Sequence, residues 1–262
     1  MKLKRLPLFA LSMLLSMPAI SAAAQCTAVS GERRVPLLEL YTSEGCDSCP
    51  PADRWLSGLP ARGYGNDRVI ALAFHVDYWN YLGWVDPFAQ KRFTERQRHI
   101  ASRSQSRVVY TPQFTLNGRD YRRGVVRDDF GERISELQRE KPRASLQLAL
   151  NMAPEGVSVN GSATIDAGEQ PLAQTWLALY EHRLTTAVKA GENRGKLLAH
   201  DFVVRDIAGP LPVNSQGKAS LTHHFAVDAR WKLRDLAVAA FVQNARTGDV
   251  LQALALGCAP PS

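Results

Sequence analysis

The sequence predicts an α/β domain built on parallel strands, followed by an all-β, antiparallel, sandwich-like domain. Three observations carry this. Two continuous apolar runs, residues 35–41 and 68–76, flank a segment whose adjacent prolines, Pro50 and Pro51, fit only a helix start. Asn117-Gly118, the strongest short hairpin signal, separates two further strand-like stretches. After Lys141-Pro142 the pattern changes to period-two alternation with turns about every ten residues. Composition agrees: 262 residues, 45% hydrophobic and 22% charged, exclude a disordered, collagenous or coiled-coil chain. The predicted domains are residues 25–143 and 144–262.

Residues 1–24 read as an export signal. Lys2, Lys4 and Arg5 precede an apolar stretch over 6–20, and Ala22, Ala23 and Ala24 offer small residues for cleavage before Gln25. The stretch is too short for a stable span, so the mature chain is expected in the periplasm or secreted, with no membrane partner. Those three cations also supply three of the seven net positive charges. The remaining balance gives no reason to expect a nucleic-acid partner.

Residues 35–41 form the first strand, and a helix runs from 48 or 49 to about 57, its prolines in the first turn where N–H groups lack partners anyway. Residues 68–76 complete a βαβ unit. Asp86 as cap and Pro87 at the first position predict a helix over 87–105, with Phe88, Phe93, Gln97 and Ile100 inside. The hairpin pairs 108–116 with 119–123, and 127–140 close the unit as a helix burying Phe130, Ile134 and Leu137. In the second half Leu146, Leu148 and Leu150 alternate with other residues, as do Val157 and Val159, and Leu236, Val238, Ala240 and Val242. Further strands lie near 175–181, 196–205, 219–227 and 250–256.

Four cysteines in an exported chain suggest disulfides, with three pairings possible. The economical one joins Cys46 to Cys49 locally and Cys26 to Cys258 as a structural bond between the chain's ends. A C-x-x-C also marks zinc sites and static disulfides. Here it follows a strand and opens a helix, whose N-terminus favours a thiolate. Cys46, the more N-terminal and expected to be the more exposed, is the candidate nucleophile, and Cys49 the resolving thiol.

The strand, Cys46-x-x-Cys49, the βα–βα–ββα order and Thr111-Pro112 ahead of the strand at 114–116 resemble the thioredoxin superfamily. This resemblance covers residues 33–141. It implies a thioredoxin-like first half and a cis Pro112 that, with Thr111, forms a substrate-contacting loop facing the disulfide. More narrowly, LELYTSEGCDSCPPAD, FHVDYW, VYTPQFTLNG and GENRGKLLAHDFVVR resemble the exported thioredoxin-like family called domain of unknown function 1223, across both halves. One departure bears on chemistry: Asp47 places a negative charge beside the thiols, which disfavours the thiolate and a strongly oxidising disulfide. Glu39 lies one residue from the position where thioredoxins keep a buried acid, and is read as a strand carboxylate satisfied by a neighbouring helix or water.

Both strands of a βαβ unit end at one edge, so the loop after Val76 approaches the C-x-x-C. His75, Asp77, Tyr78, Trp79, Tyr81 and Trp84 are therefore candidate rim residues for an extended peptide or apolar ligand. The same rings could instead pack the loop onto the core, and His75 also fits a core histidine. Lys91, Arg92, Arg96, Arg98, Arg103 and Arg107 read as a solvated helix face. His200 and His223-His224 are too scattered for a metal site, and the second half reads as a scaffold or recognition module. The function expected is thiol–disulfide exchange on protein or small-molecule disulfides, without a cofactor and without a dedicated metal. The alternative is a non-enzymatic binding or scaffold protein whose C-x-x-C holds a soft metal such as Cu(I), or a static bond.

Overall fold

The computed structural model describes residues 24–103, 108–122 and 129–258. All but the last residue of the export signal read at 1–24 lies outside the described residues, as do Arg107 and the first residues of the helix expected from 127. β1 (Ala24–Val29) leads to β2 (Leu37–Thr42), α1 (Pro50–Ser57) and β3 (Ile70–His75). β2 and β3 are parallel, with Leu37 opposite Ile70 and Thr42 opposite His75. Every residue of both strands is buried, as continuous apolar runs covered on two faces require. Cys49 is the N-cap of α1, and Pro50 and Pro51 occupy its first turn.

α2 (Lys91–Arg103) begins four residues later than Pro87 suggests. The Asp86 carboxylate accepts the Phe88 N–H at 2.8 Å but also holds His75 at 2.7 Å, and the Gln90 N–H bonds back to the His75 carbonyl. Residues 87–90 are thus bound to β3 and cannot wind into the helix. β4 (Gln113–Leu116) and β5 (Arg119–Asp120) form a hairpin at the expected turn but shorter than expected, with no strand at 108–112 or 121–122; Asn117 and Gly118 both have positive φ, 54° and 78°, as a type I′ turn demands. α3 (Phe130–Arg139) buries Phe130 and Ile134.

The rest of the chain is strand: β6 (Ala144–Ala153), β7 (Gly156–Ile165), β8 (Ala173–Glu181), β9 (Leu184–Ala187), β10 (Leu197–His200), β11 (Val203–Leu211), β12 (Lys218–Ser220), β13 (His223–Ala226), β14 (Leu236–Asn244) and β15 (Val250–Leu256). β1, β6, β7 and β12 form one sheet, with β13 also on β7, and β9 pairs with β10.

The large sheet corrects the fold class. Its order is β15-β14-β8-β11-β3-β2-β4-β5, so four strands of each half belong to one mixed sheet. The molecule is predominantly β, not an α/β thioredoxin-like domain followed by a separate sandwich. The join is at β3, whose free edge is taken by β11, parallel, with Val203 opposite Ala73 and the Ala73 N–H on the Phe202 carbonyl at 2.8 Å. The physical reason lies in β8 and β14. The alternation of Leu236, Val238, Ala240 and Val242 in β14 suggests a strand with one buried face, yet Ala237, Ala239 and Phe241 on the intervening positions are buried too, as are Ala178 and Tyr180 of β8. Those residues pack with the core under the helices, alongside Leu38, Phe74, Phe93 and Ile134. Leu177, Leu179, Val238, Ala240 and Val242 pack the other way, against Leu146, Leu148, Leu150 and Val159 of the second sheet. A sheet apolar on both faces needs a layer on each.

Cys26 and Cys258 are disulfide-bonded, Cα–Cα 5.7 Å, tying β1 to the end of β15. Arg34, fully buried, bonds the Val250 carbonyl, Asp249 and Glu140, a second tie between the halves. Among the described residues no helix is long and apolar enough to cross a membrane.

Candidate thiol–disulfide site

Cys46 and Cys49 are joined, Cα–Cα 5.5 Å, at the turn that opens α1. The Cys49 N–H bonds the Cys46 carbonyl at 3.3 Å, and Cys49 in turn accepts the Ala52 and Asp53 N–H groups. The helix therefore starts at the second sulfur. Both cysteines are buried, Cys46 at 2% exposure and Cys49 at 0%, so the expected contrast between an exposed nucleophile and a covered partner is absent. Asp47 and Ser48 between them are exposed. Ser48 Oγ lies 3.4 Å from Cys46 Sγ, and Ser48 lines a cavity of about 530 Å3 together with Pro51, Ala52, Tyr110, Pro112 and Phe114. The Cys46 sulfur is thus one contact behind a mostly apolar wall.

Thr111-Pro112 is a cis peptide at the start of β4. Trp79 links it to the C-x-x-C loop. Its Nε1 donates to Thr111 Oγ1 at 2.6 Å, while its Cβ stands where a Cβ on Gly45 would come within 3.1 Å. Tyr78 packs on the core under the helices, and burial pushes its phenol above the ordinary value. Asp77 accepts the Thr94 hydroxyl at 2.6 Å, tying this loop to α2. Of the expected rim, Trp79 is at the site, Tyr78 and Asp77 brace the loop, and Tyr81 is exposed.

His75 is a core residue, and it is not alone there. Its Nδ1 lies 2.7 Å from Asp86, and its ring stands 5.0 Å from that of His200 on β10. His200 Nε2 is 3.1 Å from Glu44 Oε1, and its Nδ1 is 3.8 Å from Asp53 on α1. All five groups are buried. Burial opposes charging of His75, but the Asp86 carboxylate, backed by Asp53 and Glu44, holds its pKa above the ordinary imidazole value. Burial also works against the Asp86 anion. His75 and the N–H groups of Glu44 and Phe88 prevail, leaving Asp86 below the usual carboxylate range. Asp53, with weaker compensation from His200 and His75, is held above it.

Glu44 is engaged at every polar atom: its N–H donates to Asp86, its carbonyl accepts from Asn193, and its carboxylate meets His200 and the Trp84 indole at 2.9 Å. Sequence reasoning missed Glu44, Asp53, Asn193 and His200 as a group. All four lie within the quoted motifs, Glu44 and Asp53 around Cys46 and Asn193 and His200 in GENRGKLLAHDFVVR, but only the fold brings the two motifs together. Glu39 answers its sequence reading: buried on β2, it accepts from Arg96 of α2 at 2.7 Å and from Thr115 and Tyr41. Among the described residues no group of three or more His, Cys, Asp or Glu side chains is arranged to hold a metal ion.

The family described as protein of unknown function (DUF1223) matches residues 37–243, from β2 into β14. The chain belongs to this family. A crystal structure of a protein from Agrobacterium tumefaciens superposes with a TM-score of 0.61 at 27% identity, covering 88% of this chain and 98% of that one. HBP35 of Porphyromonas gingivalis has the same fold at 16% identity, TM-score 0.66, covering 89% of this chain and 78% of that one. No curated protein matches the chain. The matched span takes in both the C-x-x-C and Asn193 of this chain.

Proposed function

We propose that this DUF1223 protein exchanges thiols and disulfides, with Cys46 attacking and Cys49 resolving. The observation that carries the reading is the Cys46–Cys49 disulfide at the start of α1, bordered by the cavity that has Pro112 in its wall. In the reducing direction the Cys46 thiolate attacks one sulfur of a substrate disulfide, that S–S bond breaks, and the departing thiolate takes a proton from water. The Cys49 thiolate then attacks Cys46 Sγ, releases the second substrate thiol and re-forms the protein disulfide. Two electrons pass from the protein dithiol to the substrate, and a thiol donor restores the dithiol. The same steps reversed oxidise a substrate dithiol.

The cavity favours a polypeptide carrying an apolar or aromatic residue beside its cysteine: Pro51, Ala52, Pro112, Phe114, Tyr110 and Tyr121 supply ring and methyl surface. Asp47 is exposed, and its N–H meets the Glu192 carboxylate at 3.2 Å. Two acids beside the pair disfavour the thiolate, which supports a reducing or isomerising role over a strong oxidant. Two disulfides fit an oxidising compartment and support a periplasmic or secreted location.

Burial of both cysteines favours one competing reading, a static disulfide in a binding or scaffold protein. The reduction potential separates the two. Exchange requires a value between about −120 and −270 mV, and a pair below about −300 mV is structural. Cys46→Ser should also abolish reduction of insulin disulfides in the full chain. Cys49→Ser should accumulate mixed disulfides at Cys46, read by mass; an absence of adducts there rejects the assignment of roles.

A further inference from the structure

Besides His200 on β10, the second half of the chain reaches the C-x-x-C loop with the tip of a hairpin. β9 and β10 are joined by residues 188–196, closed on themselves by Gly195 N–H to Val188 O at 2.8 Å and Lys196 N–H to Asn193 O at 3.1 Å. Glu192, Arg194, Gly195 and Lys196 are exposed, yet Asn193 between them is fully buried. Its amide is used completely. Nδ2 donates to the Glu44 carbonyl at 2.8 Å and the Cys46 carbonyl at 2.9 Å, and Oδ1 accepts from Lys196 Nζ at 2.8 Å. Glu192 adds the contact to the Asp47 N–H. The tip is itself braced. Gly191, with φ of 69°, sits where a Cβ would come within 3.1 Å of Trp84 Cβ, and Trp84 bonds Glu44.

We infer that Asn193 is a positioning residue that sets the stability of the Cys46–Cys49 disulfide. The Cys46 carbonyl is the acceptor that closes the turn between the two cysteines, since it also takes the Cys49 N–H. A donor fixed on that carbonyl, and on the carbonyl two residues earlier, holds the turn in the form that presents one sulfur to the other. Pre-organisation raises the effective concentration of each thiol at its partner and so favours the bond. No other side-chain type of this size supplies two donors there. Aspartate has none in its ionised form, and an aliphatic residue leaves two carbonyls without this partner. The Lys196 ammonium polarises the amide and strengthens both donors.

The inference deepens the exchange reading, but its test is separable from it. Full-length wild type, Asn193→Ala and Asn193→Gln are equilibrated in glutathione buffers, or dithiothreitol buffers if the pair is more stable, then acid-quenched, alkylated and weighed. Asn193→Ala should shift the equilibrium constant about tenfold toward the dithiol, which is about 30 mV toward a more oxidising pair. Asn193→Gln, with its amide displaced by one methylene, should fall between the two. A folded Asn193→Ala protein within twofold of wild type overturns the inference. Should that variant not fold, an unshifted Asn193→Gln overturns it equally. A wild-type pair below about −300 mV would reject the exchange reading alone, because the variants can still be ranked in dithiothreitol. A merely architectural asparagine would lower the unfolding midpoint and leave the potential where it was.

Discussion

Asp86 shows how one side chain can hold a site together from the inside. It accepts from the Glu44 N–H, the Phe88 N–H and His75, and so joins the C-x-x-C loop, the turn before α2 and the end of β3. Because His75 is held above the ordinary imidazole value, its contribution to stability is complete below about pH 6.5 and is lost as pH rises through the folded value. Asp86, held below the carboxylate range, contributes fully above about pH 4, and that is lost as pH falls through its folded value. The pair is therefore at full strength between those limits. Asp53 acts in the opposite sense to Asp86, since its raised value favours the neutral acid in the fold. Asp86→Asn should cost about 3–5 kcal/mol in urea unfolding at pH 5.5, by leaving a buried imidazolium unpaired. It should also abolish the decline in wild-type stability between pH 5.5 and 8.5. An unchanged pH slope in the variant would remove His75–Asp86 as its source. Ser48 belongs to the same scale. With Oγ 3.4 Å from Cys46 Sγ, it is placed to donate to the thiolate, and Ser48→Ala should slow alkylation of Cys46 in the reduced protein near neutral pH; an unchanged rate would remove Ser48 from that role.

The elements divide by how local their cause is. α1 was legible because its start is written in Pro50 and Pro51, and the β4–β5 turn because Asn117 and Gly118 both tolerate positive φ. The start of α2 was not, since what stops Pro87 from opening the helix is the partner that Asp86 finds in His75, eleven residues earlier. The run at 196–205 read as one strand is two, β10 and β11, turning at Phe202 with φ of 60°, a conformation that the sequence does not announce in a phenylalanine. At the site, Cys46, Cys49 and Pro112 carry local signals. Asn193 and His200 carry none, because their partners lie about 150 residues away. The β4–β5 turn offers a test at this scale. A Cβ on Gly118 would stand 1.9 Å from the Gly248 carbonyl, and its φ of 78° is costly for any L side chain. Gly118→Ala should lower stability by about 2–4 kcal/mol through strain and displacement of the 248 turn, measured as a shift in urea midpoint at constant slope.

At the scale of the molecule, the shared sheet decides how the chain unfolds. The edge of β3 is covered only by β11, and the core under the helices includes Tyr180, Phe202, Ala239, Phe241 and Val250 from the second half. A chain ending at residue 143 would keep β2, β3, β4 and the three helices but lose those side chains. It would expose the β3 edge and leave Arg34 buried without its Asp249 and Val250 partners. Asn193 and His200 would go with them, freeing the Glu44–Cys46 loop. Together these losses are on the order of the whole stability of a domain this size. The truncated chain is therefore expected to aggregate or to show no cooperative unfolding, and the full chain to unfold in one transition reported alike by tryptophan fluorescence and circular dichroism. The Cys26–Cys258 bond reinforces that single unit. It spans 232 residues, and its removal by Cys26→Ser with Cys258→Ser should cost about 5.5 kcal/mol in the chain-entropy model while leaving the transition single. Two separated transitions in that double variant would mean that the halves fold independently once the bond is gone, and that β3–β11 pairing follows their docking instead of joining them into one sheet.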